Sequence, residues 1–456
     1  MAAMTRRVVI TGIGAIGGLG LDTDALWQGL CEGASALGPL ELFDPAGLRS
    51  QQAAQVPTFN AREFVPKHYR KAIKLMARDI QLSIIAAHNA VKHAGLTTRT
   101  EPGSEPTLPA DRLGCHIGAG LIAAELNELT TALASISTPP DSGAGTPGAA
   151  WDIADWGEGM GNLQPLWMLK YLPNMLACHV TILHGAEGPS NTITCSEASG
   201  VLCVGESARV VERGDADACF SGGIESKLNG LAMMRYDKLG WLAPIDADGD
   251  VQAVCRPYAE DGPGQLMGEG GAIMIVEGAD TAAARGASPI AEVLGFGAAH
   301  STRAVGLMRG DIATDASAHE PDTGIEGAIR RALADADTSA DQIDAIVPHA
   351  MGYGPVDAGE SAALEAVFGE RLASIPLVTL TPQLGGCAAG QSALQVAVGA
   401  LCVKHQRLPA RLHGGGASEG LDVGPSPSRE LPLRRVLVVG SGLGGSCGAV
   451  VFGPAS

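Results

Sequence analysis

The chain has 456 residues, 46% of them apolar, with 62 glycines and a net charge of −18. That length exceeds one ordinary core and points to two domains or two structural halves. The charge argues against nucleic acid or an anionic membrane as the main partner, and no apolar run reaches the ~18 residues of a membrane-spanning helix. Ten cysteines lie scattered in apolar runs without a CxxC pair, and eleven histidines are dispersed, so neither a disulfide framework nor a metal site is expected. A soluble, cytoplasmic protein is the expectation.

Arg7–Gly12 reads as a short Val/Ile strand closed by Gly12-Ile-Gly14. With Gly17 and Gly18 this spacing is a weak dinucleotide signal, and no acidic residue stands where a second strand would supply one. Asp22–Gly33 reads as a helix capped by Asp22 or Thr23, with Leu26, Trp27 and Leu30 as its buried stripe. Arg62, Lys67, His68, Arg70, Lys71 and Lys74 make a local basic patch, or simply a solvated helix face. Ala77–Ala94 is a longer helix, Leu96–Arg112 a polar surface loop and Leu113–Gly118 a buried strand. Ser135–Trp156, rich in Pro, Gly and Ser, reads as an excursion over the surface.

The stretch from Asn191 to Gly200 reads as a strand end, a tight polar turn and a helix start. Ser196 can cap, Glu197 suits the first turn, and the apolar face continues to Val210 and Val211. Gly214-Asp-Ala-Asp217 closes that helix, and Ala218–Gly223 follows as a buried strand. Free N–H groups at a helix N-terminus stabilise a thiolate, a carboxylate or an oxyanion, so chemistry is expected here.

Beyond it, strands are expected at Ala272–Glu277, Ile290–Gly297, Ile343–Pro348 and Leu377–Thr381, with helices at Gly324–Ala336, Gly359–Phe368 and Gly390–Val403. A Gly- and Pro-rich loop runs from His413 to Ser428, and Arg435–Gly440 and Gly448–Phe452 pair around Gly442–Gly445. Strands alternating with helices in each half indicate a layered α/β fold built by internal duplication.

In this order, Val8–Gly14, Gly214-Asp-Ala-Asp217, Gly222-Gly223, Arg256-Pro257, Gly268-Glu-Gly270, His349, Asp357, Glu360, Gly386–Gly390 and Gly442–Gly445 resemble the β-ketoacyl-acyl carrier protein synthases, condensing enzymes of the thiolase fold. The resemblance runs from about residue 6 to residue 453. It implies an α/β, thiolase-like fold of two duplicated halves in a layered αβαβα sandwich, 1–255 and 256–456.

In that family a cysteine at a helix N-terminus is acylated, and two histidines assist decarboxylation of a malonyl unit. Counting along the motif puts Glu197, not Cys195, at the nucleophile position. His349 falls at the first histidine, Gln383 at the second, and Val378 near the usual lysine. Leu443 and Gly444 fall at the oxyanion and entrance turn, where the loss of two aromatics implies either a flexible turn or an open acyl entrance. A carboxylate is a poor nucleophile toward a thioester; the helix dipole and a protonated His349 would favour its ionised form, and His349 could be its structural partner.

The resemblance therefore implies a chain-length-factor-type subunit, paired with an active ketosynthase in fatty-acid or type II polyketide synthesis. The alternatives are a carrier-dependent acyltransferase, decarboxylase or hydrolase using Glu197 and His349, or an ordinary condensing enzyme using Cys195 or Cys203. The implied partners are an acyl carrier protein, whose phosphopantetheine arm is the substrate carrier, and a ketosynthase paralogue or a second copy. No tightly bound cofactor, nucleic acid or membrane is expected.

Overall fold

The computed structural model describes residues 6–101, 103–134, 157, 159–309, 320–412 and 420–455. The expected surface excursion at 135–156 and the first part of the loop, 413–419, lie outside the described residues.

Strand β1 (Val8–Ile16) is buried along its whole length. Its Gly12 and Gly14 serve packing: a Cβ there would come within 2.3 Å of the Ala90 carbonyl and 1.9 Å of the Ala86 carbonyl. The helix laid so closely on them is α2 (Arg78–Ala94), so the weak dinucleotide spacing is a helix-on-strand contact. Helix α1 (Thr23–Glu32) is capped by the Asp22 side chain and stopped by Gly33 in the left-handed region.

The remaining strands are β2 (Leu37–Pro39), β3 (Gln52–Ala54), β4 (Leu113–Gly118), β5 (Ser190–Ile193), β6 (Ala218–Ser226), β7 (Met267–Gly278), β8 (Ala291–His300), β9 (Ala345–Val347), β10 (Arg407–Leu408), β11 (Arg429–Glu430), β12 (Val436–Ser441) and β13 (Ser446–Gly453). Eight of them run with β1 in the order β5-β4-β6-β7-β1-β8-β13-β12-β9, with β3 attached to β7 and β2 to β3. Within the first half β4 pairs parallel with β6, β6 antiparallel with β7, and β7 antiparallel with β1, so strand pairing carries this half past the expected boundary at 255 to take in β7. The second half repeats this: β9 parallel with β12, β12 antiparallel with β13, β13 antiparallel with β8. The two halves meet where β1 pairs with β8 over Val8–Ile10.

The longer helices form the other layers. Helix α3 (Leu126–Ala134) precedes α4 (Met175–His184) on the first half. Between the two sheet faces lie α5 (Ser199–Glu212) and, after α6 (Gly230–Leu239), α7 (Thr323–Asp335) and α8 (Gly354–Phe368), helix α9 (Gln391–His405), buried from Gln391 to Val403. Val201 and Val204 of α5 and Leu394–Val398 of α9 share one core with β1, β7 and β12. A second core lies under α2 and α4 and a third under α7 and α8, which gives the expected five layers.

Leu377–Thr381 is not a strand. Leu377 makes one bridge to Ile346 and the Val378 N–H donates to the Ile346 carbonyl at 2.8 Å. The Leu377 carbonyl is taken by the Arg411 guanidinium at 2.9 Å, leaving no ladder to extend.

Candidate functional site

The chain leaves β5, turns at Cys195 and enters a 3₁₀ turn, Ser196–Ala198, before α5 starts at Ser199. Ser196 is not the helix cap; it sits at φ 51° inside the turn. The Ser199 hydroxyl holds the turn instead, accepting from the Cys195 N–H at 2.9 Å and donating to the Ser196 carbonyl at 2.6 Å. The glycine turn between β12 and β13 lies against it: a Cβ on Gly442 would come within 2.4 Å of the Cys195 carbonyl. The N-terminal nucleophile turn and the C-terminal glycine turn thus meet.

Glu197 is 2% exposed. Its Oε2 accepts from the Leu443 N–H at 3.0 Å and its Oε1 from the Tyr236 hydroxyl, on α6, at 3.4 Å. Burial raises the Glu197 pKa, opposed by the Leu443 N–H, raised again by Glu225 and lowered by Lys227. Desolvation thus works against the ionised form that the helix dipole was expected to favour, because one backbone N–H does not replace a hydration shell. Glu225 and Lys227, both buried, pair with each other at the end of β6. Glu225 also accepts from the Ala389 N–H at 2.8 Å, and Lys227 donates to the Leu121 carbonyl at 2.7 Å.

His349 follows β9 on a tight loop and is 4% exposed. The first turns of α8 clamp this loop. Glu360 accepts from the His349 N–H at 2.7 Å and the Ala350 N–H at 2.9 Å; Asp357 accepts from Met351 and Gly352, each at 2.9 Å. Tyr258 joins both carboxyls, donating its hydroxyl to Glu360 and its N–H to Asp357, each at 2.9 Å. Burial pushes Asp357 up to about 7 and raises Glu360. Among the described residues the His349 ring has no partner at Nδ1, and burial lowers its pKa to about 4, so it is neutral near pH 7. Glu197 and His349 share neither a hydrogen bond nor an ion pair, which corrects the expectation that they could be structural partners.

Gln383 is fully buried and turns to α1, donating to the Leu30 carbonyl at 3.1 Å and the Ala34 carbonyl at 3.2 Å. It thereby satisfies carbonyls at a helix C-terminus. Val378 lies in the central core. Leu443 is half-buried and Gly444 exposed. Glu197, 2% exposed, lies beneath the Leu443 backbone of this turn. Cys195 is half-buried and holds the turn through its backbone, whereas Cys203 is fully buried with its thiol pKa pushed up by desolvation. Tyr236, Lys227 and Tyr258 are site residues that the sequence reading missed; Asp357 and Glu360 were noted as markers without a role. Only a helix-period aromatic and a lysine two residues after a buried Glu mark the first two in the sequence.

Residues 5–282 match the family model "Beta-ketoacyl synthase, N-terminal domain" and residues 291–414 match "Beta-ketoacyl synthase, C-terminal domain". The chain belongs to the β-ketoacyl synthase family. Over 98% of each chain it is 30% identical to the "Putative polyketide beta-ketoacyl synthase 1" of Streptomyces halstedii. It is 27% identical to the 3-oxoacyl-[acyl-carrier-protein] synthase 2 of Staphylococcus aureus (strain COL), over 99% of each. Among solved structures, the ishigamide ketosynthase/chain length factor superposes with a TM-score of 0.79 at 26% identity, covering 99% of this chain and 100% of that one. The layered α/β architecture is that of these thiolase-fold ketosynthases.

Proposed function

We propose that this β-ketoacyl synthase-family chain serves fatty-acid or type II polyketide biosynthesis as a chain-length-factor-type subunit, pairing with an active ketosynthase and meeting its acyl carrier protein. The observation that carries the reading is the carboxyl of Glu197 at the nucleophile station, with its own oxygen on the Leu443 N–H. A ketosynthase needs a thiol there and a free backbone donor for the developing oxyanion. Here the thiol is absent and the donor is engaged by the residue that replaced it. Gln383, at the second histidine station, is committed to α1. The acid–base alternative is weakened by the missing link between Glu197 and His349. The Cys203 alternative is weakened by a thiol held deep in α5. The likeness to the ishigamide ketosynthase/chain length factor supports the subunit reading.

Two surfaces support the partners. Strand β5 ends the long sheet with part of its length exposed. Leu121, Leu126, Leu166, Met168 and Ile182 are exposed apolar side chains, and Ile182 stands on α4, which packs on β5. A free sheet edge flanked by apolar side chains suits a second ketosynthase-fold chain. Arg62, Lys67, His68, Arg70, Lys71 and Lys74 are all exposed, and none forms an ion pair among the described residues. On a chain of charge −18 such a face suits an acidic carrier.

Co-expression with candidate ketosynthases, read by native mass and malonyl-carrier turnover, tests the proposal. A one-to-one heterodimer is expected, with condensation unchanged by Glu197→Gln in this chain. A homodimer that turns over acyl-carrier substrate, and stops with Glu197→Gln or His349→Ala, would sink it.

A further inference from the structure

Glu197 lies one residue below the surface. Gly444 is exposed, Leu443 is half-buried, and the Leu443 N–H rests on the Glu197 carboxyl at 3.0 Å. The Leu443 side chain joins two apolar clusters. One contains Tyr236, Met233 and Met267. The other contains Trp241 and Met351 with Tyr353. Trp241 and Tyr353 stack with ring centroids 5.6 Å apart and an interplanar angle of 25°. Trp241 is 3% and Met351 2% exposed, so this second cluster is filled.

Its backbone is held from three sides. Tyr353 forms an antiparallel bridge with Pro263, the Gly264 N–H donates to the Gly352 carbonyl at 3.1 Å, and the Gly354 N–H donates to the Gly262 carbonyl at 3.1 Å. Asp357 holds the Met351 and Gly352 amides. The aromatic pair is therefore fixed to β-type contacts and a helix, not carried on a free loop.

We propose that Trp241, Tyr353 and Leu443 seal the chamber above Glu197 and act as specificity-determining residues that exclude a carrier-borne acyl thioester from this chain's own site. An extended thioester arm needs a continuous channel to reach a helix N-terminus. Here the volume next to the Leu443 turn is occupied by stacked rings, and the turn's own N–H is already bonded. Removing either ring opens a gap that the other, pinned at its backbone, does not close. The inference deepens the subunit reading proposed above, on which it rests for the identity of the excluded group.

The test places a thiol under the seal: Glu197→Cys in a Cys195→Ala background of the full chain, alkylated with iodoacetamide and quantified at position 197 by peptide mass spectrometry. With the stack intact, labelling is expected to be roughly 100-fold slower than in the urea-unfolded chain, and Tyr353→Ala or Trp241→Ala to speed it roughly tenfold or more. Trp27→Ala, which removes the comparable Trp27–His405 stack, is expected to leave the rate unchanged. Amide hydrogen exchange at Leu443 gives a second measurement without any change at 197, and should quicken with Tyr353→Ala but not with Trp27→Ala. Fast labelling with the stack intact, no change on removing it, or an equal rise with Trp27→Ala would overturn the seal. A chain that labels as expected yet never pairs with a ketosynthase would retire the subunit reading and leave the seal standing.

Discussion

Burial takes the hydration shell from Glu197 and returns one backbone N–H and one phenol, at 3.0 and 3.4 Å. An amide can accept from the same N–H, so Glu197→Gln is expected to be nearly neutral for stability in acid. Because burial raises the folded pKa of the carboxyl, its stabilising contribution is complete below the ordinary glutamate value and is lost as pH rises through the folded value. The Gln variant should therefore match or exceed the parent at pH 8. Glu197→Ala, which strands the Leu443 N–H, should cost about 1–3 kcal/mol at acid pH. Urea midpoints at two pH values separate these outcomes, and a Gln variant much weaker at pH 8 would show a carboxylate held ionised. His349 has the opposite sign. Its folded pKa is lowered to about 4 from 6.5, so it costs nothing above the unfolded value and destabilises as pH falls through that window. Relative to His349→Asn the parent should lose up to about 1.4 kcal/mol per pH unit there. The ring resonance should stay at its neutral position from pH 8 to 5, and a midpoint near 6.5 would refute the burial argument.

At the scale of elements, α8 acts as a clamp. Two carboxyls in its first turns accept four consecutive amides, His349 to Gly352, across a loop that contains Ala350 at φ 48°. Glu360→Ala strands two buried N–H groups and removes the acceptor of the Tyr258 hydroxyl at once, and should cost about 2–4 kcal/mol. Tyr258→Phe, which removes one partner of a carboxyl that keeps two others, should cost about 1–2 kcal/mol. Denaturant unfolding measures both; equal costs would mean the clamp is not what holds the loop. Asp357 and Glu360 were legible as residues, but their work was not, because it depends on a loop eleven residues earlier folding back onto the helix. The same limit explains Tyr236, which meets Glu197 only when α6 is brought to the 3₁₀ turn ahead of α5. Long apolar runs behaved differently: β1, β4, the β12–β13 pair, α2 and the buried α9 were each readable within a few residues, since their pattern is local. Leu377–Thr381 shared that apolar pattern, yet its carbonyl found Arg411 instead of a neighbouring strand. Gly12 and Gly14 matched a nucleotide-binding spacing because both uses need a missing Cβ, and sequence spacing does not say what approaches.

For the whole molecule, the proposed partners would be held by surfaces of different character, one apolar and one basic. Of the exposed apolar side chains, Ile182 stands on α4, which packs on β4 and β5 at the sheet edge. The unpaired basic side chains sit on the 3₁₀ segment Lys67–Leu75, none of whose residues is buried. Contact across the first face gains mainly from excluding water, and so tolerates salt. Contact across the second gains from complementary charge, weakening as the Debye length shrinks to about 8 Å at physiological ionic strength. On the proposed function, Lys67→Glu, Arg70→Glu and Lys71→Glu together should weaken binding of an acidic acyl carrier protein by about tenfold or more at low salt, and flatten its salt dependence. The native mass of the ketosynthase pair should not change, because that contact is proposed to gain from apolar burial and not from charge. Arg434→Glu, an exposed arginine near β12, is the control for net charge. Calorimetry or surface plasmon resonance at two salt concentrations reads the effect. An Arg434 variant that loses as much affinity per charge would reduce the basic segment to a solvated face in a negatively charged protein, and a triple variant that abolishes pairing with the ketosynthase would place the two partners on one surface.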